Sequence, residues 1–341
     1  MKAVGLYQYL PIENEQSLVD VEMDCPEPAG KDLLVKVQAI SVNPVDTKVR
    51  APGKDIATTP QVLGWDAAGE VIEVGPDVAH FSVGDKVFYA GDITRPGSNS
   101  EFQLVDERIV GRMPQSLSFE EAAALPLTGI TAWEALFERL GISSEGKDAG
   151  RSILIIGGAG GVGSIAIQLA KKLAKLKVIA TASRPESSAW SKKLGADLIV
   201  NHRNPLDAEL VAIETPQVDF ILCLNNTGQH WGAMAKAIAP QGSICSIVET
   251  SEPVELGLLK SKSASFTWEF MFTRSMFQTE DMIEQQKLLN RISDLVEKGE
   301  LVTTTNNVIR PINASNLRKA HALIEQGATI GKIVLADWPE K

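Results

Sequence analysis

A glycine-rich turn that follows an apolar run constrains the fold of this chain more than any other feature. Residues 153–156 read Ile-Leu-Ile-Ile, and residues 157–163 contain Gly158, Gly160 and Gly163 in a GxGxxG pattern. Apolar side chains then recur at helical spacing from Val162 onwards. Because a buried strand, a tight turn and an amphipathic helix follow one another, the pattern predicts the first βαβ unit of a dinucleotide-binding domain.

Each glycine of the pattern has a physical task. One glycine permits the tight turn, one lets a pyrophosphate approach the backbone, and one lets the helix pack close to the sheet. The N–H groups at the helix start then offer the positive end of the helix dipole to the phosphates. We therefore predict that Gly158, Gly160, Gly161, Val162 and Gly163 bind a nucleotide. The alternative is a doubly wound domain that has lost its ligand.

The end of the next predicted strand distinguishes the two nicotinamide cofactors. An acidic residue at this point binds the ribose 2′-hydroxyl of NAD, but this chain has Ser183 and Arg184. A guanidinium suits a 2′-phosphate, because it donates paired hydrogen bonds to phosphate oxygens. These residues predict NADPH, with Arg184 as a solvated surface charge the alternative. His202, after the third strand, lies either beside the same phosphate or in a surface turn.

The pattern of secondary structure changes along the chain. Up to about residue 125, short strands between Gly/Pro turns predict a small β-barrel. Between residues 151 and 250, apolar runs alternate with helical segments, which predicts parallel strands joined by crossover helices. We assign residues 126–299 to this second domain and residues 1–125, completed by 300–341, to the first. The cleft between two such domains is the expected ligand site.

Charge and cysteine usage restrict the partners and the compartment. The formal net charge is -10 at pH 7, and an acidic surface repels nucleic-acid phosphates and anionic lipid heads. Cys25, Cys223 and Cys245 are scattered, which favours a reducing compartment over a disulfide framework. The sequence has neither a signal peptide pattern nor an apolar run of about 18 residues. We therefore expect a cytoplasmic protein that binds neither nucleic acid nor membranes.

Five sequence blocks, spread over essentially the whole chain, carry a resemblance to a known superfamily. The blocks are Ser41-Val42-Asn43-Pro44-Val45-Asp46, Leu63-Gly64-Trp65-Asp66-Ala67-Ala68-Gly69, Val83-Gly84-Asp85-Lys86-Val87, residues 125–133 and residues 157–163. In this order they resemble the medium-chain dehydrogenases/reductases, among them the zinc-free quinone oxidoreductases of the zeta-crystallin group. Residues 268–275 are similar to a subgroup often labelled zinc-type alcohol dehydrogenase. The resemblance implies an α/β fold, with a GroES-like β-barrel catalytic domain and a Rossmann doubly wound parallel-sheet domain.

The resemblance also locates the positions at which zinc-dependent relatives hold their metal. A catalytic zinc takes about three Cys, His or carboxylate ligands. This chain has Asn43 at the family's first Cys and Gly64-Trp65-Asp66 at its Gly-His-Glu, and indole does not ligate zinc. Residues 91–106 lack the four cysteines of the structural zinc lobe, and the four histidines of the chain are scattered. We therefore expect no zinc at either site.

Without a metal, a quinone or an α,β-unsaturated carbonyl is the easier substrate to reduce, because it already withdraws electrons. The protein then needs donors for the developing enolate or quinol oxygen. By family position we predict Asn43 as the first donor, Trp65 as a wall of the pocket and Tyr89 as a further hydroxyl. The alternatives are an Asx-turn before Pro44 for Asn43 and packing in the barrel core for both aromatic residues.

The same resemblance extends the predicted cofactor site beyond the glycine turn. It implies that Thr128 approaches the nicotinamide, with helix capping as the competing role. Asn225 and Val248 follow the cores of two predicted parallel strands, at the carboxyl edge where cofactors bind. Lys332, in the block Gly331-Lys332-Ile333-Val334, matches a family position near the cofactor, and a surface lysine is the alternative.

These observations predict a zinc-independent, NADPH-dependent reductase of quinones or α,β-unsaturated carbonyls. Two alternatives stay open. One is a carbonyl or aldehyde reductase, which needs an acid near the carbonyl oxygen; the other is an NADPH-binding sensor or structural protein without turnover. Residues 268–274 are apolar and aromatic, which is explained either by edge-strand pairing in a homodimer, as in relatives, or by core packing.

Overall fold

The computed structural model describes residues 1–52 and 56–339 of the chain. Sixteen strands run in chain order as β1 (Lys2–Leu6), β2 (Val19–Glu22), β3 (Asp32–Val42), β4 (Gln61–Val62), β5 (Asp66–Val74), β6 (Lys86–Ala90), β7 (Phe102–Asp106), β8 (Val110–Arg112), β9 (Ser152–Ile156), β10 (Lys177–Thr181), β11 (Leu198–Val200), β12 (Val218–Cys223), β13 (Ile238–Ser246), β14 (Ser265–Trp268), β15 (Thr305–Ile309) and β16 (Lys332–Ala336), a count for the described residues.

The α-helices are α1 (Pro44–Arg50), α2 (Phe119–Ala123), α3 (Pro126–Trp133), α4 (Gly161–Lys172), α5 (Pro185–Lys193), α6 (Leu206–Ala212), α7 (Thr227–Ala237), α8 (Thr273–Phe277), α9 (Ile283–Glu297) and α10 (Ala314–Glu325). Short 3-10 helices cover Glu15–Ser17, Glu107–Ile109 and Leu256–Lys262, and a π-helical turn covers Glu134–Arg139. Within residues 1–52 and 56–339, none of the helices is long and apolar enough to cross a membrane.

The first compact unit comprises residues 1–130 and the C-terminal part of the chain from Phe272. Its larger sheet has the order β15-β16-β3-β5-β6-β8, with β7 also paired to β3, and its smaller sheet has the order β2-β1-β4. The long strand β3 is the centre of this arrangement, because it pairs antiparallel with β5, β7 and β16. The C-terminal strand β16 therefore completes the sheet that the N-terminal part begins.

Helix α9 belongs to the first unit, which differs from the predicted boundary at residue 299. The helix packs on the strand and turn around β8. Gln286 Nε2 donates to the Glu107 carbonyl at 2.9 Å, and Asn290 Oδ1 accepts from the Arg112 N–H at 2.8 Å. The helical periodicity of this segment predicts a buried face, but it holds no information about which unit covers that face.

The second unit, residues 131–271, is built on a parallel sheet with the order β11-β10-β9-β12-β13-β14. All neighbouring strands in it are parallel. The chain moves outward from β9 in both directions, so the strand order reverses between β9 and β12. In sheets of this kind ligands bind at the carboxyl ends of the strands beside that reversal. The predicted combination of a strand-rich domain and a doubly wound parallel sheet is confirmed.

Candidate active site

The glycine turn after β9 has the backbone that the sequence predicts. Gly157 has a φ of +91°, a conformation that side-chain-bearing residues rarely adopt. Its N–H donates to Thr181 Oγ1 at 3.0 Å, at the end of the neighbouring strand β10. The Gly158 N–H donates to the Thr181 carbonyl at 3.3 Å. The turn is thus anchored to the end of β10 by two hydrogen bonds.

The three glycines of the GxGxxG pattern differ in the space around them. A Cβ at Gly158 would lie 2.7 Å from Ala180 Cβ, and one at Gly163 would lie 2.4 Å from the Gly157 carbonyl oxygen. These two glycines therefore permit close packing within the second unit. A Cβ at Gly160 would meet only the Gly157 carbonyl oxygen, at 3.6 Å, so the space beside Gly160 is open. This is the glycine past which a phosphate can approach the backbone.

Helix α4 begins directly after this open position. Gly160 is its N-cap, and the first amides of an α-helix have no intrahelical acceptor. The Gly160 carbonyl is held by Ser164 Oγ at 2.7 Å, and Ser164 Oγ accepts from Trp190 Nε1 at 2.8 Å. The amides of Gly161 and Val162 therefore stand at a fixed helix start, where an anion is favoured by the helix dipole.

Cationic and hydroxyl side chains follow the next two strands of the same sheet edge. Ser183 and Arg184 follow β10 and are partly exposed, and His202 follows β11. Thr181 Oγ1 lies 3.3 Å from His202 Nδ1, which fixes the ring beside the end of β10. Burial, together with Arg203 and Arg184, lowers the pKa of His202. The sheet thus brings Arg184 and His202 together, as the sequence predicts for a 2′-phosphate site.

Asn225 and Val248 lie at the same carboxyl edge, after β12 and β13. Asn225 is exposed, and its carbonyl lies 3.2 Å from Cys223 Sγ. The Val248 carbonyl accepts from Thr227 Oγ1 at 2.5 Å, which fixes the backbone after β13. Burial raises the pKa of the Cys223 thiol, so this cysteine is a neutral packing residue at physiological pH. The edge beside the glycine turn thus carries all predicted contacts of the second unit.

The first unit contains a buried ion pair between Lys332 and Asp66, which both lie in sequence blocks shared with the family. Lys332 Nζ lies 3.0 Å from Asp66 Oδ2, 3.0 Å from the Val42 carbonyl oxygen and 2.5 Å from Asn43 Oδ1. An ammonium has three hydrogens, and these three acceptors use all of them. Lys332 is only 3% exposed. Its predicted contact with the cofactor stays a prediction. In the structure its ammonium forms an ion pair with the Asp66 carboxylate.

Asn43 joins this ion pair and lies at the start of α1. Its Nδ2 donates to Asp66 Oδ2 at 2.7 Å, while its own N–H donates to Asp46 Oδ2 at 2.5 Å. Asp46 Oδ1 is buried and has no hydrogen-bond partner among the described residues. Burial raises the pKa of Asp46 to about 7, although the Asn43 N–H and Lys332 favour its charged form. A protonated Asp46 is therefore a substantial population at neutral pH.

Trp65, Tyr89 and Thr128, the other predicted residues of the first unit, make hydrogen bonds to residues of the same unit. Trp65 Nε1 donates to the Asp92 carbonyl at 3.2 Å, and Tyr89 OH donates to Gln103 Oε1 at 2.9 Å. Both side chains are fully buried, and burial raises the pKa of Tyr89. Thr128 Oγ1 is within 3.3 Å of the carbonyls of Ala124 and Leu125. These contacts fit the packing alternatives for Trp65 and Tyr89, while their roles at a substrate stay predictions.

Three residues of these networks were not singled out from the sequence. Thr181 connects the glycine turn to His202, Asp66 accepts the buried ammonium, and Asp46 carries the unpartnered carboxyl oxygen. A hydroxyl residue at the last position of a strand that precedes the phosphate corner is a usable signal for Thr181. The pairing of Asp66 with Lys332 spans 266 positions, and one sequence offers no signal for it.

The residues around Lys332 do not fit a zinc ion. Of the three family positions, Asn43 and Trp65 offer no strong zinc ligand, and Asp66 is already paired with an ammonium. A divalent cation beside Asp66 would face that positive charge at short range. Over residues 1–52 and 56–339, no group of three or more His, Cys, Asp or Glu side chains is placed to hold a metal ion.

Two family models match the chain. The model described as Alcohol dehydrogenase GroES-like domain matches residues 29–126, and the model described as Zinc-binding dehydrogenase matches residues 194–335. A Zinc-type alcohol dehydrogenase-like protein of Staphylococcus aureus is 45% identical over 336 residues, covering 98% of this chain and 99% of that protein. A 2-methylene-furan-3-one reductase of Solanum lycopersicum is 40% identical over 346 residues, covering 98% of this chain and 77% of that protein.

Solved structures agree with these relatives. A protein of Rhizobium etli CFN 42, named as a candidate zinc-dependent alcohol dehydrogenase, matches with a TM-score of 0.94 and 52% identity, covering 100% of this chain and 99% of that one. The quinone oxidoreductase of Escherichia coli, solved in complex with NADPH, matches with a TM-score of 0.81 and 25% identity, covering 98% of this chain and 100% of that one.

We predict that Gly160→Ala weakens nucleotide binding without loss of stability. Gly160 has a φ of -72° and a ψ of 175°, which alanine adopts freely, and the added methyl enters open space. We expect the Kd for NADPH to rise at least about tenfold, or 1.4 kcal/mol, in a fluorescence titration. Gly232→Ala in α7, whose Cβ also meets open space, is the matched control. Unchanged NADPH affinity in Gly160→Ala would place the phosphates elsewhere.

We predict that Asp46→Asn stabilises the protein at high pH. The folded-state pKa of Asp46 is raised to about 7, so the native state binds its proton more tightly than the unfolded state does. The stability that this proton contributes is complete below pH 4 and is lost as the pH rises towards 7. The isosteric amide is free of this loss, which is on the order of 2 to 4 kcal/mol.

The measurement is the Tm of Asp46→Asn minus that of the wild type between pH 5 and pH 8.5. We expect this difference to be positive already at pH 5 and to grow to on the order of 5 °C at pH 8.5. Asp24→Asn, at an exposed position, gives the background. A variant that is less stable than the wild type at pH 8.5 would mean that the network requires the Asp46 carboxylate.

Proposed function

The chain belongs to the medium-chain dehydrogenase/reductase superfamily, and from that premise we propose that it is a zinc-independent, NADPH-dependent reductase of quinones or α,β-unsaturated carbonyls. Its relatives include oxidoreductases of both alcohols and conjugated acceptors by name. The observation that carries the proposal is the carboxyl edge of the parallel sheet, where an open glycine turn stands beside a cationic corner.

The cofactor would be held by the second unit. The open space at Gly160 and the amides of Gly161 and Val162 suit a pyrophosphate, because they combine room for the anion with backbone donors. Asn225 and Val248 extend the same edge towards the position expected for the nicotinamide end. The bound cofactor supplies the hydride of the reaction. The chain's own task is to fix the dinucleotide along this edge.

NADPH is the proposed form of the cofactor because of the corner beyond β10 and β11. A 2′-phosphate there would meet the Ser183 hydroxyl, the Arg184 guanidinium and the His202 ring, all suited to an anion. The ribose of NADH offers only a hydroxyl to the same groups. The solved quinone oxidoreductase of Escherichia coli in complex with NADPH supports this choice by its 25% identity over 98% of this chain.

The buried ion pair of the first unit supports the proposal that the reaction does not use zinc. Of the three family positions Asn43, Trp65 and Asp66, only Asp66 carries a carboxylate. This carboxylate forms an ion pair with Lys332. An alcohol substrate needs a Lewis acid to lower its hydroxyl pKa, and these residues do not offer a place for one. A conjugated acceptor needs less help, since its own carbonyl stabilises the charge that hydride addition creates. The 2-methylene-furan-3-one reductase of tomato, at 40% identity, supports an acceptor of this class.

We also propose that the chain forms a homodimer through the edge strand β14. This strand is the last of the parallel sheet, where an unpaired strand edge favours pairing with another chain. Trp268, at the end of β14, and Phe270, two residues later, are 48% and 46% exposed, so two large apolar side chains lie close together beside this edge. A second copy would pair the strand edge and cover both side chains.

The proposed reaction predicts NADPH oxidation that depends on a conjugated acceptor and not on zinc. We expect absorbance at 340 nm to fall with quinones and enones, kcat/KM for NADPH to exceed that for NADH at least about tenfold, and chelators to leave the rate unchanged. Arg184→Ala should remove most of the preference for NADPH, because the proposed hydrogen bonds of its guanidinium go to the 2′-phosphate, which NADH lacks. Lys192→Ala, on the exposed face of α5, is the matched control.

Three other outcomes of this assay would contradict the proposed function, and each would favour a different alternative. Stoichiometric zinc in purified protein, with alcohol turnover, would contradict the metal argument. Turnover of simple aldehydes without enones or quinones would favour a carbonyl reductase. Tight NADPH binding without turnover of any acceptor would favour the sensor or structural protein.

The proposed dimer predicts a mass of two chains in light scattering after gel filtration. Trp268→Lys should yield monomers with an unchanged circular dichroism spectrum, because a lysine on a strand edge opposes pairing. Val211→Lys, at another exposed apolar position, is the control and should stay dimeric. A wild-type protein that is monomeric at micromolar concentration would refute the interface.

A further inference from the structure

The ring of His202 is linked to the glycine turn through a single hydroxyl. Thr181 Oγ1 accepts the Gly157 N–H at 3.0 Å and lies 3.3 Å from His202 Nδ1. The Thr181 hydroxyl donates to Nδ1 when the neutral imidazole carries its hydrogen on Nε2, the tautomer used in the proposal below, and accepts from Nδ1–H when the imidazole is protonated. In both states Nε2–H is the remaining donor of the ring. Protonation therefore changes the charge of His202 without a change in its orientation.

Titratable groups from three elements lie near this ring. Arg203 follows it in the same turn, Arg184 stands at the start of α5, and His230 lies on α7. Burial lowers the pKa of His202, and Arg203 and Arg184 lower it further. Burial and the neighbouring His202 lower the pKa of His230 in turn. Without a bound anion, the imidazole of His202 is therefore neutral at pH 7.

An acidic residue also reaches this turn. Glu209 of α6 accepts from the Asn201 N–H at 2.8 Å and from Asn204 Nδ2 at 2.7 Å. These two bonds use both carboxylate oxygens and lower the pKa of Glu209. Glu209 thus holds the turn on either side of His202 and Arg203, and its own hydrogen bonds run to the backbone and amide of the turn.

We propose that His202 takes up a proton when NADPH binds, so that the preference for NADPH over NADH depends on pH. The inference rests on the proposed function, because it needs the 2′-phosphate beside Ser183, Arg184 and His202. A phosphate monoester with a second pKa of about 6 carries close to two negative charges at pH 7. Such an anion favours an imidazolium over an imidazole. NADH has a hydroxyl in place of this phosphate and exerts no such effect.

The proton balance of the step is simple. Neutral His202 carries its hydrogen on Nε2 and accepts from the Thr181 hydroxyl at Nδ1. When the phosphate binds, a proton from the solvent is added to Nδ1, and the Thr181 hydroxyl changes from donor to acceptor. Nε2–H then donates to a phosphate oxygen from a charged ring, which gives a stronger hydrogen bond. The affinity for NADPH therefore falls as the pH rises through the pKa of His202 in the complex.

Isothermal titration calorimetry of the full chain at pH 7.0 tests the inference with NADPH and NADH as probes. Each titration is run in two buffers of different ionisation enthalpy, which yields the number of protons taken up. We expect an uptake of about half a proton to one proton for NADPH and none for NADH. Between pH 6.5 and pH 8.5 the Kd for NADPH should rise about tenfold while that for NADH stays constant.

The variant His202→Gln tests whether the proton that is taken up binds to His202 or to another group. Glutamine keeps an N–H donor but takes up no proton, so we expect no uptake, a flat pH profile and wild-type affinity for NADPH at pH 8.5. His230→Gln is the matched control and should keep the uptake. NADPH binding without proton uptake, or uptake that persists in His202→Gln, would overturn the inference and leave the proposed function intact. If NADPH does not bind at any pH, the proposed function itself fails.

Discussion

The buried ion pair between Lys332 and Asp66 joins distant segments of the first unit. Lys332 and Asp66 are 266 positions apart, yet their charged atoms lie 3.0 Å apart and both residues are buried. Taking two charges out of water costs several kcal/mol each, which only a full set of hydrogen bonds offsets. Asp66 therefore also accepts from Asn43 Nδ2 and from the Leu127 N–H, both at 2.7 Å. The strands β16 and β5 and the starts of α1 and α3 have to meet at this point.

The features that the sequence predicted are those whose physical cause is local. The parallel strands follow from short apolar runs, and the glycine turn follows from a fixed spacing of glycines after one of these runs. The assignment of α9 and the Lys332–Asp66 pair depend instead on which distant segments meet. A single sequence does not contain that information, so the unit that α9 packs in and the hydrogen-bond partners of Lys332 come from the structure.

The candidate site divides in the same way. Gly160, Arg184 and His202 were predicted because cofactor recognition places particular residue types at the ends of successive strands. Thr181 was not predicted, because its role depends on the positions of two residues that are distant in sequence. Its hydroxyl contacts both the Gly157 N–H and His202 Nδ1. Asn43 was predicted from its family position as a substrate donor, yet its amide is held by Asp66 at 2.7 Å. Family position identified the residue, and the hydrogen bonds identify its partners.

Lys332 and His202 have different surroundings, and these surroundings determine whether each side chain is suited to contact an anion. Lys332 is buried, and its three hydrogens have three acceptors within the first unit. Around His202, by contrast, Arg184 and Arg203 act against the protonated ring, which is why its pKa is lowered. A bound anion removes that repulsion, whereas it would add nothing at Lys332. The surroundings of His202 therefore suit an anion, whereas the ammonium of Lys332 already has its acceptors within the first unit.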